Sequence, residues 1–243
     1  MTLPVQDVPL LITSAINVEA PNTKLSDSGE RLLHTLAALG QWLALGAFKR
    51  IVVCDGSNFD LTSHMQDLKQ DANTDVTFEA LHFQNDAALV KKLGKGFGEG
   101  QIVDHALAHS HILATTMSFA KCTSKLWATN AAACLRRYNG TAALNLAGGF
   151  TPVNVDTRFY ICSKTFYRTH LQDCHQRVDE SHGIYLEHRF FEAIQSTRIY
   201  RNAISPTPVI AGISGSMGKS HQTSRLNNLA KNVRNNVLRL AGQ

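Results

Sequence analysis

The chain has 243 residues, of which 44% are hydrophobic and 18% charged, a composition that excludes a largely disordered chain and fits one domain or at most two. Its five cysteines form no CxxC pair, and no run nears the roughly 18 apolar residues of a membrane span, which disfavours zinc cassettes, disulfide frameworks and integral membrane proteins. The net charge of +5 is uneven, because seven Lys and Arg residues but no acid follow Glu192, and this tail favours an anionic partner.

The first sixty residues predict a strand, a helix and a second strand. Leu10–Ala15 is a short apolar run of the kind found in buried strands. Asp27 and Glu30 have the spacing of a helix N-cap and its partner, and the helical pattern that follows ends near Gly46. The next apolar run, Ile51–Asp55, stops at a Gly-Ser turn.

The rest of the chain continues to alternate between strand and helix patterns. Extended segments are predicted at Val76–Leu81, Met117–Trp127, Thr157–Cys162 and Val209–Ile213. Helices are predicted at Asn85–Leu93, Gln101–Leu113, Asn130–Tyr138, Lys164–Gln176, Tyr185–Ser196 and Gln222–Leu240. This alternation predicts a single α/β domain with helices layered on a mostly parallel sheet. Ligands of such folds bind at the carboxyl ends of the strands, where the turns after Asp55 and from Gly212 to Lys219 are expected.

Two turns in the first half have residues suited to a nucleotide. Asp55 directly follows a buried strand, so its carboxylate either accepts hydrogen bonds from a ribose or base or caps the turn. The segment Gly94–Gly100 has four glycines and Lys95 ahead of a predicted helix, which favours either phosphate binding or a flexible loop. Its spacing does not match the full dinucleotide-binding motif.

A third turn lies near the C-terminus, in the segment VIAGISGSMGKSH. It is not a P-loop, because Ile213 stands where the first glycine of that motif belongs. It remains a turn rich in glycine and serine that carries Ser214, Lys219 and His221, and such turns hold phosphate oxygens. The alternative is a plain surface loop.

Two acidic residues are candidates for a general base that accepts a proton from an attacking hydroxyl group. Asp156 lies in VDTRFY, and Glu187 is followed by His188 in an apolar, aromatic helix pattern. The alternative for each carboxylate is a surface ion pair, with Arg158 or with Arg189.

Taken together, these segments resemble the GT-A-type nucleotide-sugar glycosyltransferases, especially small bacterial enzymes of surface polysaccharide and lipopolysaccharide assembly. The segments that carry the resemblance are LLITSAI with the later Arg31, IVVCDGS, GKGFGEGQIVDHAL, FAKCTSKLWATN, VDTRFY, YLEHRFF and GISGSMGKSH. The resemblance implies one Rossmann-like domain in which about residues 1–130 bind the nucleotide and about residues 131–221 bind the acceptor. Residues 222–243 are expected to form a basic amphipathic helix.

The resemblance also implies roles for individual residues. Asp55 is expected to contact the nucleoside, with Lys95, Glu99 and Arg158 near the donor. Glu187 takes the place of the catalytic base beside His188, with Asp156 as the alternative base. Ser214, Lys219 and His221 are expected at the donor phosphates.

One departure from this family concerns the metal. Many of its members hold a divalent cation with a DxD motif, and this chain contains no DxD. The matching segment FAKCTSKLWATN offers Lys121, Thr123 and Lys125 instead of acids. Fixed cations can also stabilise a departing phosphate, so the sequence predicts a transferase without a metal cofactor, with Lys125 and Lys219 in that role.

The predicted partners are a nucleotide-sugar donor and a glycan or lipid-linked acceptor. The C-terminal helix has an apolar stripe and several cations, so it either contacts an anionic membrane surface or packs on the domain. The lack of a secretory signal favours the cytoplasm, at the inner face of the membrane if the helix binds there. The alternatives are a nucleotidyltransferase or kinase-like enzyme, which needs metal-binding carboxylates, and a nucleic-acid-binding domain, which the scarcity of aromatics in the basic tail disfavours.

Overall fold

The computed structural model describes residues 7–18, 25–149, 151–213, 220–222 and 231–237. The described strands are β1 (Leu10–Ser14), β2 (Arg50–Asp55), β3 (Thr77–His82), β4 (Ser118–Thr123), β5 (Leu126–Ala128), β6 (Ala142–Gly148), β7 (Pro152–Ser163), β8 (Ile210–Ile213) and β9 (Ser220–Gln222). The described helices are α1 (Ser28–Leu45), α2 (Thr62–Asp71), α3 (Ala87–Leu93), α4 (Lys95–His109), α5 (His111–Ala114), α6 (Ala131–Arg136), α7 (Lys164–Phe166) and α8 (Leu186–Ile194). Residues 231–237 are also helical.

Six strands form a central sheet in the order β3-β2-β1-β4-β7-β6. The first four in that order run parallel, whereas β7 is antiparallel to both β4 and β6. A smaller antiparallel sheet contains β5, β8 and β9. The predicted α/β fold with a mostly parallel sheet is therefore confirmed.

Helices cover both faces of the central sheet, so β1, β2 and β4 are buried along almost their whole length. On one face, Leu39 and Trp42 of α1 pack with Met65 of α2 in a buried cluster. On the other face, Ile102 of α4 and Phe190 of α8 belong to a second buried cluster. Within the described residues, none of the helices is both long and apolar enough to cross a bilayer.

The predicted ends of α1 are confirmed at both termini. Asp27 Oδ1 accepts a hydrogen bond of 2.7 Å from the Glu30 backbone N–H, which satisfies one of the unpaired amides of the first turn. Gly46 ends the helix with a φ of 58°, a left-handed conformation that glycine adopts without strain.

The glycine-rich segment Gly94–Gly100 is not a flexible loop ahead of a helix, which was the alternative to a phosphate-binding turn. The helix begins at Lys95, so Gly96, Gly98 and Gly100 lie within it. A Cβ at Gly100 would approach His175 Cβ to 2.2 Å, so this glycine allows a close helix contact. Packing has overridden the low helix propensity of glycine here.

Other differences from the prediction arise where tertiary contacts decide the local structure. The helix predicted at Lys164–Gln176 is confirmed as a continuous helical stretch, but only its first three residues, α7, are α-helical. Tyr167–Leu171 form a π-helix and Gln172–Arg177 a 3-10 helix. The extended segment Met117–Trp127 is divided into β4 and β5 by a turn. Neither α2 nor β6 was predicted from the sequence.

Candidate active site

A cleft of about 920 Å³ opens at the carboxyl ends of β1, β2 and β4, where the fold class places ligands. A space of this size can hold a nucleotide with an attached group. Its polar lining comprises Thr13, Ser14, Asn17, Arg31, Ser57, Gln84, Asn85, Lys91, Lys95, Glu99, Thr123, Ser124, Lys125, Asn154, Thr157, Arg158, Glu180, Tyr185, Glu187 and His188.

Asp55 does not line this cleft, although Gly56 and Ser57, which follow it, do. The side chain is fully buried. Its carboxylate accepts hydrogen bonds from the Ile16 backbone N–H at 3.0 Å and from the Ser57 hydroxyl group at 2.6 Å. The Ser57 and Phe59 backbone N–H groups also donate to it. Asp55 therefore caps the turn after β2, which was the alternative role, and holds Ser57 at the edge of the cleft.

Arg31 is one of the residues that carry the resemblance, with no individual role predicted for it, and it lines the cleft. It comes from the first turn of α1 and is only 6% exposed. Its guanidinium donates to the backbone oxygen of Ala15 from Nε and Nη2, and to that of Leu25 from Nη1. Burial lowers its pKa, with the charge of Asp55 opposing that effect. A cation on the apolar side of a helix pattern was the signal for such a buried role.

Lys125 lies in the turn after β4 and has a left-handed φ of 68°. Its side chain lines the cleft. Its Nζ donates to Ser124 Oγ at 2.8 Å, and the residue is 3% exposed. Burial, together with the neighbouring charge of Arg31, lowers the pKa of Lys125 to about 7. The ammonium group is therefore poorly solvated, and an anion in the cleft would stabilise its charged form.

Three buried polar atoms of the cleft residues have no hydrogen-bond partner within the described part of the chain: Thr13 Oγ1, Ser14 Oγ and Asn85 Oδ1. Thr13 and Ser14 are 3% and 2% exposed and end β1. Because buried polar groups are almost always hydrogen-bonded, these atoms are suited to contact a ligand or water.

Lys121 supplies a second buried cation, from the middle of β4. Its Nζ donates to Glu99 Oε1 at 2.6 Å, to Thr123 Oγ1 at 2.8 Å and to the Thr157 backbone oxygen at 3.0 Å. The side chain is fully buried, whereas that of Glu99 is 21% exposed and lines the cleft. Lys121 thus fixes the position of Glu99 without lining the cleft itself.

Glu187 faces the same cleft from the first turn of α8. Thr157 Oγ1 donates a hydrogen bond of 3.3 Å to Glu187 Oε1. Burial raises the pKa of Glu187, and the nearby carboxylates of Glu99 and Asp156 raise it further. A carboxylate with a raised pKa is a better proton acceptor than an ordinary glutamate.

Asp156 is placed differently from Glu187. Its carboxylate accepts hydrogen bonds from Arg158 Nε at 2.8 Å and from Arg158 Nη2 at 2.5 Å, and Asn145 Nδ2 donates to it at 3.0 Å. Arg158 lines the cleft, whereas Asp156 does not. The surface-pair alternative thus describes Asp156, which orients Arg158.

The remaining predicted residues divide between the cleft and the part of the chain that is not described. Lys95, at the start of α4, and His188, on α8, both line the cleft. His188 Nδ1 accepts from the Tyr185 backbone N–H at 3.2 Å. Ser214 and Lys219 lie outside the described residues, and for His221 only the backbone, in β9, is described.

The carboxyl end of β4 does not fit a divalent cation, because Thr123 and Lys125 line the cleft there in place of carboxylates. Across the described residues, no three His, Cys, Asp or Glu side chains are grouped so that they could hold a metal ion. The absence of a metal requirement stays a prediction.

Comparison with known proteins shows the fold. No family model and no curated protein matches the chain. The inositol-1-phosphate CTP transferase from T. maritima superimposes with a TM-score of 0.52 at 10% identity, covering 95% of this chain and 97% of that one. Core-mannan synthase A from Aspergillus fumigatus superimposes with a TM-score of 0.46 at 9% sequence identity, covering 93% of this chain and 82% of that one. A nucleoside-diphosphate-sugar pyrophosphorylase from Vibrio cholerae superimposes with a TM-score of 0.43 at 10% sequence identity, covering 77% of this chain and 88% of that one. The first likeness agrees with the predicted GT-A-like architecture.

Proposed function

We propose that the protein is a glycosyltransferase that moves a sugar from a nucleotide-sugar donor to a hydroxyl group of a glycan or lipid-linked acceptor. The proposal is supported by the division of the cleft into two chemically different parts. Arg31 and Lys125 provide cations beside the carboxyl end of β1, whereas Glu187 and Glu99 provide carboxylates that line the cleft from α8 and from α4. The assignment to bacterial surface polysaccharide assembly rests on the resemblance of sequence segments.

The cationic part suits the nucleoside diphosphate of the donor. Arg31 is held by backbone carbonyls and Lys125 by its turn, so neither cation has to be reorganised when a phosphate arrives. As the bond between the sugar and the diphosphate breaks, the electron pair leaves with the phosphate oxygen. Lys125 and Arg31 stabilise the negative charge that develops there.

The acidic part suits the acceptor, and Glu187 is the observation that carries the proposal. Its carboxylate lines the cleft, has a raised pKa and is oriented by the Thr157 hydroxyl group. As the acceptor oxygen forms its bond to the anomeric carbon, Glu187 takes the hydroxyl proton. Direct displacement of this kind inverts the configuration at that carbon.

Glu187→Gln tests this role, because it removes the proton acceptor and keeps the shape of the side chain. We expect kcat to fall about 100- to 10,000-fold, whereas the nucleotide affinity changes little. The measurement is the release of nucleoside diphosphate from a panel of nucleotide sugars, with water or added glycans as the acceptor. Glu192→Gln is the matched control, since Glu192 lies on the same helix and pairs with Arg189 at the surface.

The pH profile provides a second readout of the same residue. Because Glu187 must be deprotonated to act, activity should be lost as pH falls through its raised pKa, at a higher pH than for an ordinary glutamate. A profile without an acidic limb, or a Glu187→Gln variant with full activity, would rule out the proposed base. Retention of activity in chelator is expected, and recovery only with magnesium or manganese would rule out metal independence.

A nucleotidyltransferase is the second candidate, favoured by the likeness along nearly the whole chain to a CTP transferase. In that reaction a sugar phosphate attacks the α-phosphate of a nucleoside triphosphate, and the anionic nucleophile needs no general base. Pyrophosphate release from CTP and a sugar 1-phosphate, dependent on magnesium and insensitive to Glu187→Gln, would favour this candidate.

A further inference from the structure

One surface of the protein combines exposed cations with exposed valines. It is formed by residues 131–139, which contain α6, by residues 198–207 and by the helical segment 231–237, and we call it the basic face. The three parts are joined by hydrogen bonds: Asn139 Nδ2 donates to the Arg201 backbone oxygen at 3.2 Å, and Asn235 Nδ2 donates to that of Ile204 at 2.8 Å. Asn232 and Asn236 also contact this loop, at Thr207 and Ser205.

The helical segment turns its polar side inward and its apolar side outward. Arg234 and Asn235 are 9% and 0% exposed, and the Arg234 guanidinium donates to the backbone oxygens of Leu146 and Gly148 in β6. In contrast, Val233 and Val237 are 55% and 46% exposed. Their i, i+4 spacing places them together on one side. This reverses the usual orientation of an amphipathic helix on a folded domain.

The charge around these valines has one sign. Exposed cations on the basic face are Arg136, Arg137, Arg198, Arg201 and Lys231. No Asp or Glu occurs in residues 105–155 or 193–243, which include all three parts of the face. The field above the surface is therefore positive, and its complement is a dense array of negative charge.

We propose that the basic face docks on an anionic lipid surface. Aliphatic side chains beside cations suit the boundary between headgroups and acyl chains, where valines enter the apolar layer and arginines contact phosphates. Nucleic acid fits less well, because the exposed apolar groups are Val233 and Val237, whereas the rings of Tyr138 and Tyr200 are partly buried and pack against the core. A second copy fits less well too, since two such faces would bring like charges together.

The docking site lies close to the acceptor side of the cleft. Arg234 contacts β6 at Leu146 and Gly148, and Ala147 between them pairs with Asn154 of β7. Asn154 lines the cleft. The membrane would thus lie one hairpin away from Arg158 and Glu187, within reach of a lipid-linked acceptor. Only this placement rests on the proposed function; the docking itself does not.

Flotation of the full chain with vesicles tests the docking directly. We expect binding to vesicles of equal parts phosphatidylcholine and phosphatidylglycerol, little binding to phosphatidylcholine alone, and weaker binding as salt is added. Val233→Asp with Val237→Asp, and separately Arg137→Glu with Arg201→Glu, should each lower the partition coefficient about tenfold or more.

Matched control variants distinguish binding through the basic face from non-specific binding to vesicles. Leu33→Asp changes an apolar side chain on α1 that is 65% exposed, and Lys49→Glu with Lys69→Glu reverses two exposed cations elsewhere. Both should bind vesicles as the unmodified chain does, and unchanged melting temperatures should accompany every variant.

Several results would overturn the proposal. One is a wild-type chain that fails to bind the anionic vesicles, and another is control variants that lose as much binding as the test variants. A third is displacement from vesicles by short oligonucleotides at a lower concentration than by anionic lipid. A dimer that forms in solution and dissociates in the valine variant would assign the face to a second copy.

Discussion

Burial of the Lys125 ammonium group carries a large energetic cost. The side chain is 3% exposed, and its pKa falls from an ordinary 10.5 to about 7. The unfolded chain therefore binds a proton more readily than the folded protein between these two pH values. The cost is fully present below about pH 7, shrinks as pH rises, and disappears near the ordinary pKa.

Replacing Lys125 should therefore stabilise the protein while weakening nucleotide binding. One pKa unit is worth about 1.4 kcal/mol, so we expect Lys125→Met to raise the free energy of unfolding by about 2 to 4 kcal/mol at pH 7. Urea denaturation at pH 7 and pH 10 measures this, and the gain should be much smaller at pH 10. Equal gains at both pH values would show that the ammonium is not the cause.

The pair Lys121 and Glu99 should behave in the opposite way. Lys121→Met leaves Glu99 without its 2.6 Å partner, and we expect the free energy of unfolding to fall by about 3 kcal/mol, as when one member of a buried pair is lost. The double variant with Glu99→Gln should recover part of this loss. A double-mutant cycle in urea measures the coupling, and additive losses would argue against a direct interaction.

At the scale of the element, α4 is the clearest case of packing acting against local preference. Three glycines within one helix lower its intrinsic stability, because each loses much backbone entropy on folding. They are tolerated because α4 lies against neighbouring groups that leave no room for a side chain. At Gly100 the neighbour is His175, and at Gly96 it is Leu186, whose Cβ would be 3.0 Å away from an added Cβ.

A pair of glycine substitutions separates these two effects. Gly100→Ala should lower the free energy of unfolding by about 1 to 3 kcal/mol, because the new Cβ would overlap His175. Gly40→Ala in α1 meets nothing within 4 Å, so it should raise stability by about 0.5 to 1 kcal/mol through helix propensity. Chemical denaturation of both variants checks the prediction, which is wrong if Gly100→Ala is also stabilising.

At the scale of the whole molecule, the C-terminal helical segment protects an open edge of the central sheet. β6 is the last strand in the sheet order, so one side of it has no neighbouring strand in that sheet. Ile204 donates to the Leu144 backbone oxygen, and Arg234 donates to those of Leu146 and Gly148. These hydrogen bonds satisfy the backbone carbonyls at the open edge of β6, and they hinder β6 from pairing with a strand of another chain.

Loss of the Arg234 side chain should expose this edge. We expect Arg234→Met to lower the free energy of unfolding by about 1 to 3 kcal/mol, because two buried carbonyls lose their donor. Arg234→Lys should recover little of this lost stability, because an ammonium group lacks the planar fork with which a guanidinium donates to two carbonyls. Lys231→Met, at an exposed position of the same segment, is the control. Thermal melts with light scattering should show more aggregation for Arg234→Met, and stability equal to that of the control would contradict the prediction.

Local sequence patterns were enough to predict the α/β class, the first three strands and both ends of α1. Apolar runs and capping pairs such as Asp27 and Glu30 act over a few residues, so they can be recognised without the rest of the molecule. The fold class predicted a ligand site at the carboxyl ends of the parallel strands. Glu187 was a candidate base from its residue type and position, whereas Lys125 and Glu99 were expected there only through the resemblance to glycosyltransferases. All three line the cleft.

Only the tertiary structure decided which of these groups act on the cleft and in what state. Asp55 and Asp156 both look like site carboxylates in the sequence, yet one is occupied by backbone amides and the other by Arg158. Arg31 and Lys121 enter the site from different elements, and their effect on neighbours depends on distances across the fold. Burial likewise sets the pKa values of Lys125 and Glu187, because desolvation depends on all the atoms around a charge and not on its neighbours in the chain.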